Sequence, residues 1–272
     1  MEDRYRSPST PATVTARELA EWRGTTEVKS AKDVLVVTGG ASGLGRAIAG
    51  AAVRDGWAVA LLDRDADAVK SAADDLDVLG VEADVTSPEQ LTAAMAAITA
   101  ELGDVSGLVN CAGLTRPGPS AELATADWRA VIDVNLSGTF FACQAVFPHL
   151  RPDAAIVNLA SIGSVRGLPQ RTAYSAAKAG VVGLTKALAA EWAPSGVRVN
   201  AVGPSWVDTP LIRGLVEAGT LDEEEMISRV PLARMCSPDD VAASVLFLLS
   251  PATSGFVTGQ ALYVDGGFVW AG

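Results

Sequence analysis

The sequence predicts a doubly wound α/β domain, one parallel sheet of about seven strands with helices on both faces. Three observations predict it. From Asp33 onward, short apolar runs alternate with helix-length segments, the spacing that parallel crossover connections need. The runs are continuously apolar, which suits strands buried on both sides. A glycine-rich turn also joins the first run to the first helical segment.

The elements follow in order. Val34-Leu35-Val36-Val37 reads as the first strand and residues 43–55 as a helix. Trp57 to Leu62 is the second strand, 65–76 a helix and 78–83 the third strand. Pro88 falls in the first turn of the next helix, where its missing N–H is harmless. Strands are expected near 105–109, 154–160, 196–202 and 261–264, with a long helix from Thr172 to Trp192. Residues 31–272 show no repeat or linker and read as one catalytic domain. Residues 1–30 differ. Pro8, Pro11 and a capping-box pattern, Thr15-Ala16-Arg17-Glu18, precede Leu19 and Trp22 on one helical face. Two readings stand for this extension: a frayed tail, or a short helix docked on the body or on a neighbouring subunit.

The chain has 272 residues, 49% hydrophobic and 19% charged, with a formal net charge of −11. That composition is globular. The negative charge opposes binding to nucleic acid or to anionic membranes, which need a basic surface. Cys111, Cys143 and Cys236 lack metal-ligand spacing and read as reduced thiols. His149 is the single histidine, so neither a metal site nor a Ser-His-Asp triad is expected. It reads as a helix-end residue. No apolar run approaches transmembrane length and no signal peptide is evident, so a cytoplasmic location is expected.

The turn is Thr38-Gly39-Gly40-Ala41-Ser42-Gly43-Leu44-Gly45. A turn of this kind, after a buried strand and before a helix, aims backbone N–H groups and the positive helix end at a pyrophosphate. Gly39 permits the turn, Gly43 admits the ligand to the backbone, and Gly45 lets the helix lie close to the sheet. Asp63 closes the second strand, 18 residues past Gly45. That is close to the roughly 20 expected of the acid that binds an adenosine ribose. Its carboxylate would repel a 2′-phosphate, with discrimination on the order of 100-fold. NAD(H) is therefore expected over NADP(H), with Arg64 as the one nearby group that softens the argument.

Tyr174-Ser175-Ala176-Ala177-Lys178 opens the long helix. Residues four apart share a helix face, so Lys178 sits beside Tyr174. A free phenol has a pKa near ~10, too high for proton transfer near neutrality. A neighbouring ammonium would lower it. Ser161 ends a strand 13 residues before Tyr174, and its hydroxyl can donate to a substrate oxygen. Ser164 is a nearby decoy.

The TGxxxGxG spacing of Thr38 to Gly45 and the Tyr174/Lys178 pair resemble the classical short-chain dehydrogenase/reductase family. The resemblance runs over about residues 32–268 and implies a Rossmann-type fold. It implies that Ser161 is the catalytic serine, that Lys178 also holds the cofactor ribose, and that Asn135 supports a water relay. It places Asp84 and Val85 at the adenine. Asn110-Cys111-Ala112-Gly113 is similar to the family's NNAG element, with Cys111 replacing the second asparagine, and Asn110 supports the sheet near the cofactor. Ser42 stands where phosphate-preferring relatives often carry a basic residue. Pro204, Val207 and Thr209 would line the nicotinamide, with Ser205 replacing a family glycine and Trp206 either walling the substrate or simply packing. A serine there restricts the backbone if positive φ is required. Residues from about 208 to 230 resemble the family's variable substrate lid. Within it Asp222-Glu223-Glu224-Glu225 reads as a helix start. The resemblance further implies hydride transfer on the pro-S face and a homotetramer.

The expected activity is NAD(H)-dependent interconversion of a secondary alcohol and a ketone, with Tyr174 as general acid/base. The alternatives are a 3-oxoacyl-carrier reductase and a non-catalytic NAD(H)-binding sensor or scaffold. The intact Ser161, Tyr174 and Lys178 set argues against the last.

Overall fold

The structure, a computed structural model, describes residues 33–219 and 221–269. The capping box at Thr15–Glu18 and the Leu19/Trp22 face lie outside those residues. Seven strands form one sheet: β1 (Val34–Thr38), β2 (Ala58–Asp63), β3 (Leu79–Glu82), β4 (Val105–Asn110), β5 (Leu150–Leu159), β6 (Arg198–Pro204) and β7 (Ala261–Val264). Their order is β3-β2-β1-β4-β5-β6-β7, and every neighbouring pair is parallel. The doubly wound parallel sheet expected from the sequence is what forms.

The helices are α1 (Gly43–Arg54), α2 (Ala66–Leu76), α3 (Pro88–Leu102), α4 (Thr125–Ile132), α5 (Gly138–Val146), α6 (Thr172–Trp192), α7 (Pro210–Glu217), α8 (Glu223–Ser228), α9 (Pro238–Leu249) and the short α10 (Pro251–Ser254). A π-helical turn, Asp133–Ser137, joins α4 to α5. The period-2 alternation of strands sorts β1 into two cores. Leu35 and Val37 face Ile48, Ala49, Val245 and Leu248 in one layer. Val34 and Val36 face Leu91, Met95, Cys143 and Leu188 in the other. All four apolar residues of β1 are buried, which is why the strand reads as an unbroken apolar run.

Two sequence expectations need correction. β5 starts at Leu150, four residues before the expected start at 154, and Leu150 pairs with Val105 across a register shift. The polar Arg151 and Asp153 masked this half-exposed stretch. The run Thr125–His149 also reaches 25 residues and holds an 18-residue window with a mean hydropathy of 1.4, enough by length and composition to cross a membrane. It is interrupted by the π turn and packs Val131, Ala142, Cys143 and Val146 inward. Those four side chains belong to the core of the domain itself. His149 ends a short 3-10 turn there and shares a hydrogen bond with Thr99 Oγ1 (3.2 Å).

Arg198, at the start of β6, caps the end of α9 from inside the fold. Its buried guanidinium donates to the carbonyls of Leu248 (2.8 Å), Leu249 (3.0 Å) and Ser254 (3.1 Å) and to Ser254 Oγ (3.0 Å). Burial holds its pKa below the ordinary arginine value. Arg198→Met strands those acceptors and is expected to cost about 2–4 kcal/mol. Urea denaturation measures this; a loss under about 1 kcal/mol would show that water replaces the cap.

Candidate active site

The strand order reverses between β1 and β4, the place where open α/β sheets leave a crevice at the carboxyl ends of their strands. Thr38 ends β1 opposite Asn110, which ends β4. Thr38 Oγ1 accepts hydrogen bonds from Cys111 N (3.2 Å) and Ala112 N (3.3 Å). The glycine turn and the Asn110–Gly113 segment are thus tied together at the reversal.

The glycines differ in what they do. Gly39 has φ +64°, and a Cβ there would lie 2.7 Å from Ala112 Cα. Gly43 has φ +50° with nothing within 4 Å of its Cβ position, so the turn is open on that side. A Cβ on Gly45 would meet Gly39 O at 2.1 Å. Gly45 therefore clears the turn's own carbonyl, rather than acting on helix-to-sheet distance alone. Ser42 N-caps α1 by backbone geometry only, with no side-chain bond, and Leu44 packs against the core beneath. Asp63 lies beside this turn, with Oδ2 accepting from Ala41 N (3.3 Å). An open glycine cradle, an uncapped helix start and a carboxylate at the next strand end fit the pyrophosphate and ribose of a dinucleotide.

Asp84 and Val85 follow β3. Asp84 accepts from Thr86 N (2.8 Å) and Thr86 Oγ1 (2.7 Å), and the bond from Thr86 N holds its carboxyl below the usual range. Val85 packs where any side chain on Gly138 would stand. Asn110 bridges strands, its Nδ2 donating to Asn158 Oδ1 (2.9 Å), while Asn158 donates to Thr185 Oγ1 (3.0 Å) on α6. After β6, Ser205 N bonds Val264 O (3.1 Å). Ser205 is absent from the positive-φ positions, so serine needs no strained backbone in place of glycine. Val207 bridges Cys236, and Thr209 caps α7 through Ile212 N (3.5 Å). Asp222 caps α8, the helix start expected at the acidic run.

Ser161 leaves β5 and caps a 3-10 turn, its Oγ accepting from Gly163 N (3.1 Å). Ser164 does structural work instead. Its hydroxyl donates to Ser161 O (2.6 Å) and meets Tyr263 OH (2.9 Å). Tyr174 lies in the first turn of α6 and packs against the buried cluster of Val131, Ala173 and Ala177. Lys178, one turn on, lies with Nζ 5.7 Å from the Tyr174 ring centroid and donates to Leu159 O (2.6 Å). Asn135 sits in the π turn. Its Nδ2 donates to Leu114 O (2.8 Å) and Val131 O (2.9 Å), while its buried Oδ1 has no protein partner. Gly113 must be glycine here, since a Cβ would lie 2.8 Å from that oxygen. Asn110 Oδ1 is likewise buried and unpartnered. Polar groups of this kind take a water.

Burial raises the Tyr174 pKa, and the Ser161 hydroxyl and the Arg171 guanidinium pull it down. Lys178 is itself pushed down to about 8 by burial. Arg171 was missed in the sequence, although its position one helical turn before Tyr174 was a readable signal. Burial also pushes the thiols up, Cys111 and Cys143 to about 12 and Cys236 to about 11. Among the described residues no cluster of His, Cys, Asp or Glu could hold a metal.

The Lys178 shift sets a pH dependence. Its pKa falls from 10.5 to about 8 on folding. Between those values the unfolded chain holds a proton that the native chain has released. The contribution of this site to stability therefore grows as pH rises from about 8 to 10.5. Denaturation midpoints across that window should rise less in Lys178→Met than in the wild type; identical slopes would place the lysine in a more solvated site.

The comparisons agree with this geometry. A family model described as enoyl-(acyl carrier protein) reductase matches residues 39–269. An uncharacterized short-chain type dehydrogenase/reductase of Sinorhizobium fredii is 38% identical over 242 residues, 87% of this chain, and this chain spans only 43% of that protein. The acetoacetyl-CoA reductase of a Synechocystis strain is 42% identical over 236 residues, covering 86% of this chain and 95% of the relative. The structure of a single-substitution variant of actinorhodin polyketide ketoreductase with NADPH superposes with a TM-score of 0.83 at 35% identity, covering 88% of this chain and 98% of the other. With the sheet reversal, the glycine cradle and the Ser161, Tyr174 and Lys178 cluster in place, the chain belongs to the short-chain dehydrogenase/reductase family of oxidoreductases.

Proposed function

We propose that this protein is an NAD(H)-dependent oxidoreductase that interconverts a secondary alcohol and a ketone, with Tyr174 as general acid/base. The convergence of Tyr174, Ser161 and Lys178 beside the open glycine cradle carries this reading. The backbone of Gly39, Ser42, Gly43, Leu44 and Gly45 would hold the pyrophosphate, and Asp63 the ribose hydroxyls. Asp84 and Val85 would border the adenine. Asn110, Ala112, Gly113, Pro204, Val207 and Thr209 would shape the nicotinamide end. The bound dinucleotide supplies or accepts the hydride at the substrate carbon.

The protein handles the oxygen. Ser161 donates a hydrogen bond to the substrate oxygen and fixes it, and Tyr174 gives a proton to that oxygen or takes one from it. Lys178 and Asn135 connect the phenol to solvent. Alcohol oxidation needs the deprotonated phenol and ketone reduction the protonated one, so the oxidative rate rises with pH and the reductive rate falls.

Asp63 supports NAD(H), with its carboxylate turned toward the turn through Ala41 N. A 3-oxoacyl reductase using NADPH is the second reading, favoured by the polyketide ketoreductase solved with NADPH and by the acetoacetyl-CoA reductase relative. A homotetramer fits Trp128 and Phe140, both over a third exposed on the α4–α5 run.

Fluorescence titration should show NADH binding on the order of 100-fold tighter than NADPH; tighter NADPH binding would reverse the Asp63 argument. Tyr174→Phe is expected to lower turnover of a ketone panel that includes acetoacetyl-CoA by at least about 100-fold while retaining NADH affinity. Unchanged turnover would remove Tyr174 from the mechanism.

A further inference from the structure

We propose that Arg171 recognises an oxyanion on the substrate, and that the ketone or alcohol handled here carries a carboxylate or similar group a few bonds from the reacting carbon. This rests on the oxidoreductase reading above.

The placement is specific. Arg171 immediately precedes α6, one turn before Tyr174, on the segment that leads from Ser161. Its Nη1 donates to Thr115 Oγ1 (3.2 Å) on the loop that follows β4. The same two segments meet again where Gly118 N donates to Gln170 O (3.0 Å). Tyr174 and two residues of the β4 loop, Leu114 and Leu123, pack against one small buried cluster of Val131, Ala173 and Ala177. Gln170 takes φ +59°, a left-handed conformation unfavourable for a side chain of this type. Strain of this kind persists where the surroundings impose it, often at ligand sites.

The charge is uncompensated. The chain carries 32 acidic against 21 basic residues, and the neighbouring Arg116 approaches Asp127 at 3.5 Å. Arg171 has no carboxylate within ion-pair distance among the described residues, and its partner is a neutral hydroxyl. A guanidinium has five donors, and a half-buried one gains most from a planar oxyanion. The first turn of α6 holds no acid, so the helix end adds to the positive field.

The range is short. The guanidinium acts electrostatically on the Tyr174 phenol and favours its ionised form. An anion gripped by Arg171 therefore lies near the oxygen that Tyr174 protonates. The distant phosphates of a coenzyme A chain do not meet this requirement, whereas a short keto acid does.

The test uses the full chain with NADH. The probes are 3-oxobutanoate, 4-oxopentanoate and 5-oxohexanoate, each against its methyl ester. Binding to the enzyme–NADH complex is followed by fluorescence, and kcat and KM by NADH consumption. At least one acid should bind about tenfold or more tighter than its ester. Arg171→Gln should remove that preference, with NADH affinity and ester binding held within about twofold, and Arg171→Lys should restore part of it. Thr115→Val removes the loop contact but keeps the charge, so it should retain the acid preference. The proposal is overturned if no acid is preferred over its ester, or if Arg171→Gln weakens acid and ester alike, as a mere pin between loops would. Reduction of neutral ketones without acid preference overturns the Arg171 assignment and leaves the oxidoreductase reading standing. Failure to reduce any ketone, the coenzyme A thioester included, overturns both.

Discussion

The close approach of two backbones, Gly39 against Ala112, is the constraint on which the site depends. The sheet reversal leaves β1 and β4 side by side with their connections running to opposite faces. The two strand-end segments can share one crevice only if nothing projects between them. Gly39 lacks the Cβ that would stand 2.7 Å from Ala112 Cα, and the Thr38 hydroxyl then ties the segments by two N–H donors. The turn above is held open at Gly43, and Asp63 is held beside it through Ala41. Asn110 continues the same thread sideways through Asn158 to Thr185, and so to the helix that carries Tyr174 and Lys178.

Around that crevice, burial works against charge. Lys178 is drawn toward neutrality, and Tyr174 is pushed away from ionisation. Hydrogen bonds oppose these shifts locally: Leu159 O receives the ammonium, and Ser161 stands by the phenol. The half-buried guanidinium of Arg171 adds positive field at the phenol. In a chain of net charge −11, positive potential near the phenol is a local construction, made by side-chain placement rather than by composition.

Much of this was legible in the residues. β1 was readable because both its faces are buried, so no polar residue interrupts it. The bounds of α6, Thr172–Trp192, were readable from the uninterrupted helical pattern between Arg171 and Pro194. The start of β5 was not, because Arg151 and Asp153 look like a loop until Leu150 is seen paired with Val105. In the site, spacing alone put Lys178 beside Tyr174. Spacing could not show that the ammonium would donate to Leu159 O, or that Arg171 would act on the phenol. Nor could it show that Ser205 is accommodated by an unstrained link to Val264. These outcomes depend on tertiary neighbours that a one-dimensional pattern does not contain.

The three thiols share a property that reaches beyond catalysis. Oxidants and alkylating agents attack the thiolate, and with pKa values of about 11 to 12 these sulfurs are almost wholly protonated near neutrality. At a pKa near 12 the reactive fraction at pH 7 is on the order of one in 100,000. Cys111, which is only partly buried, stands beside Thr38 at the strand ends, and there it is the desolvation of charge that keeps its sulfur in the unreactive thiol form.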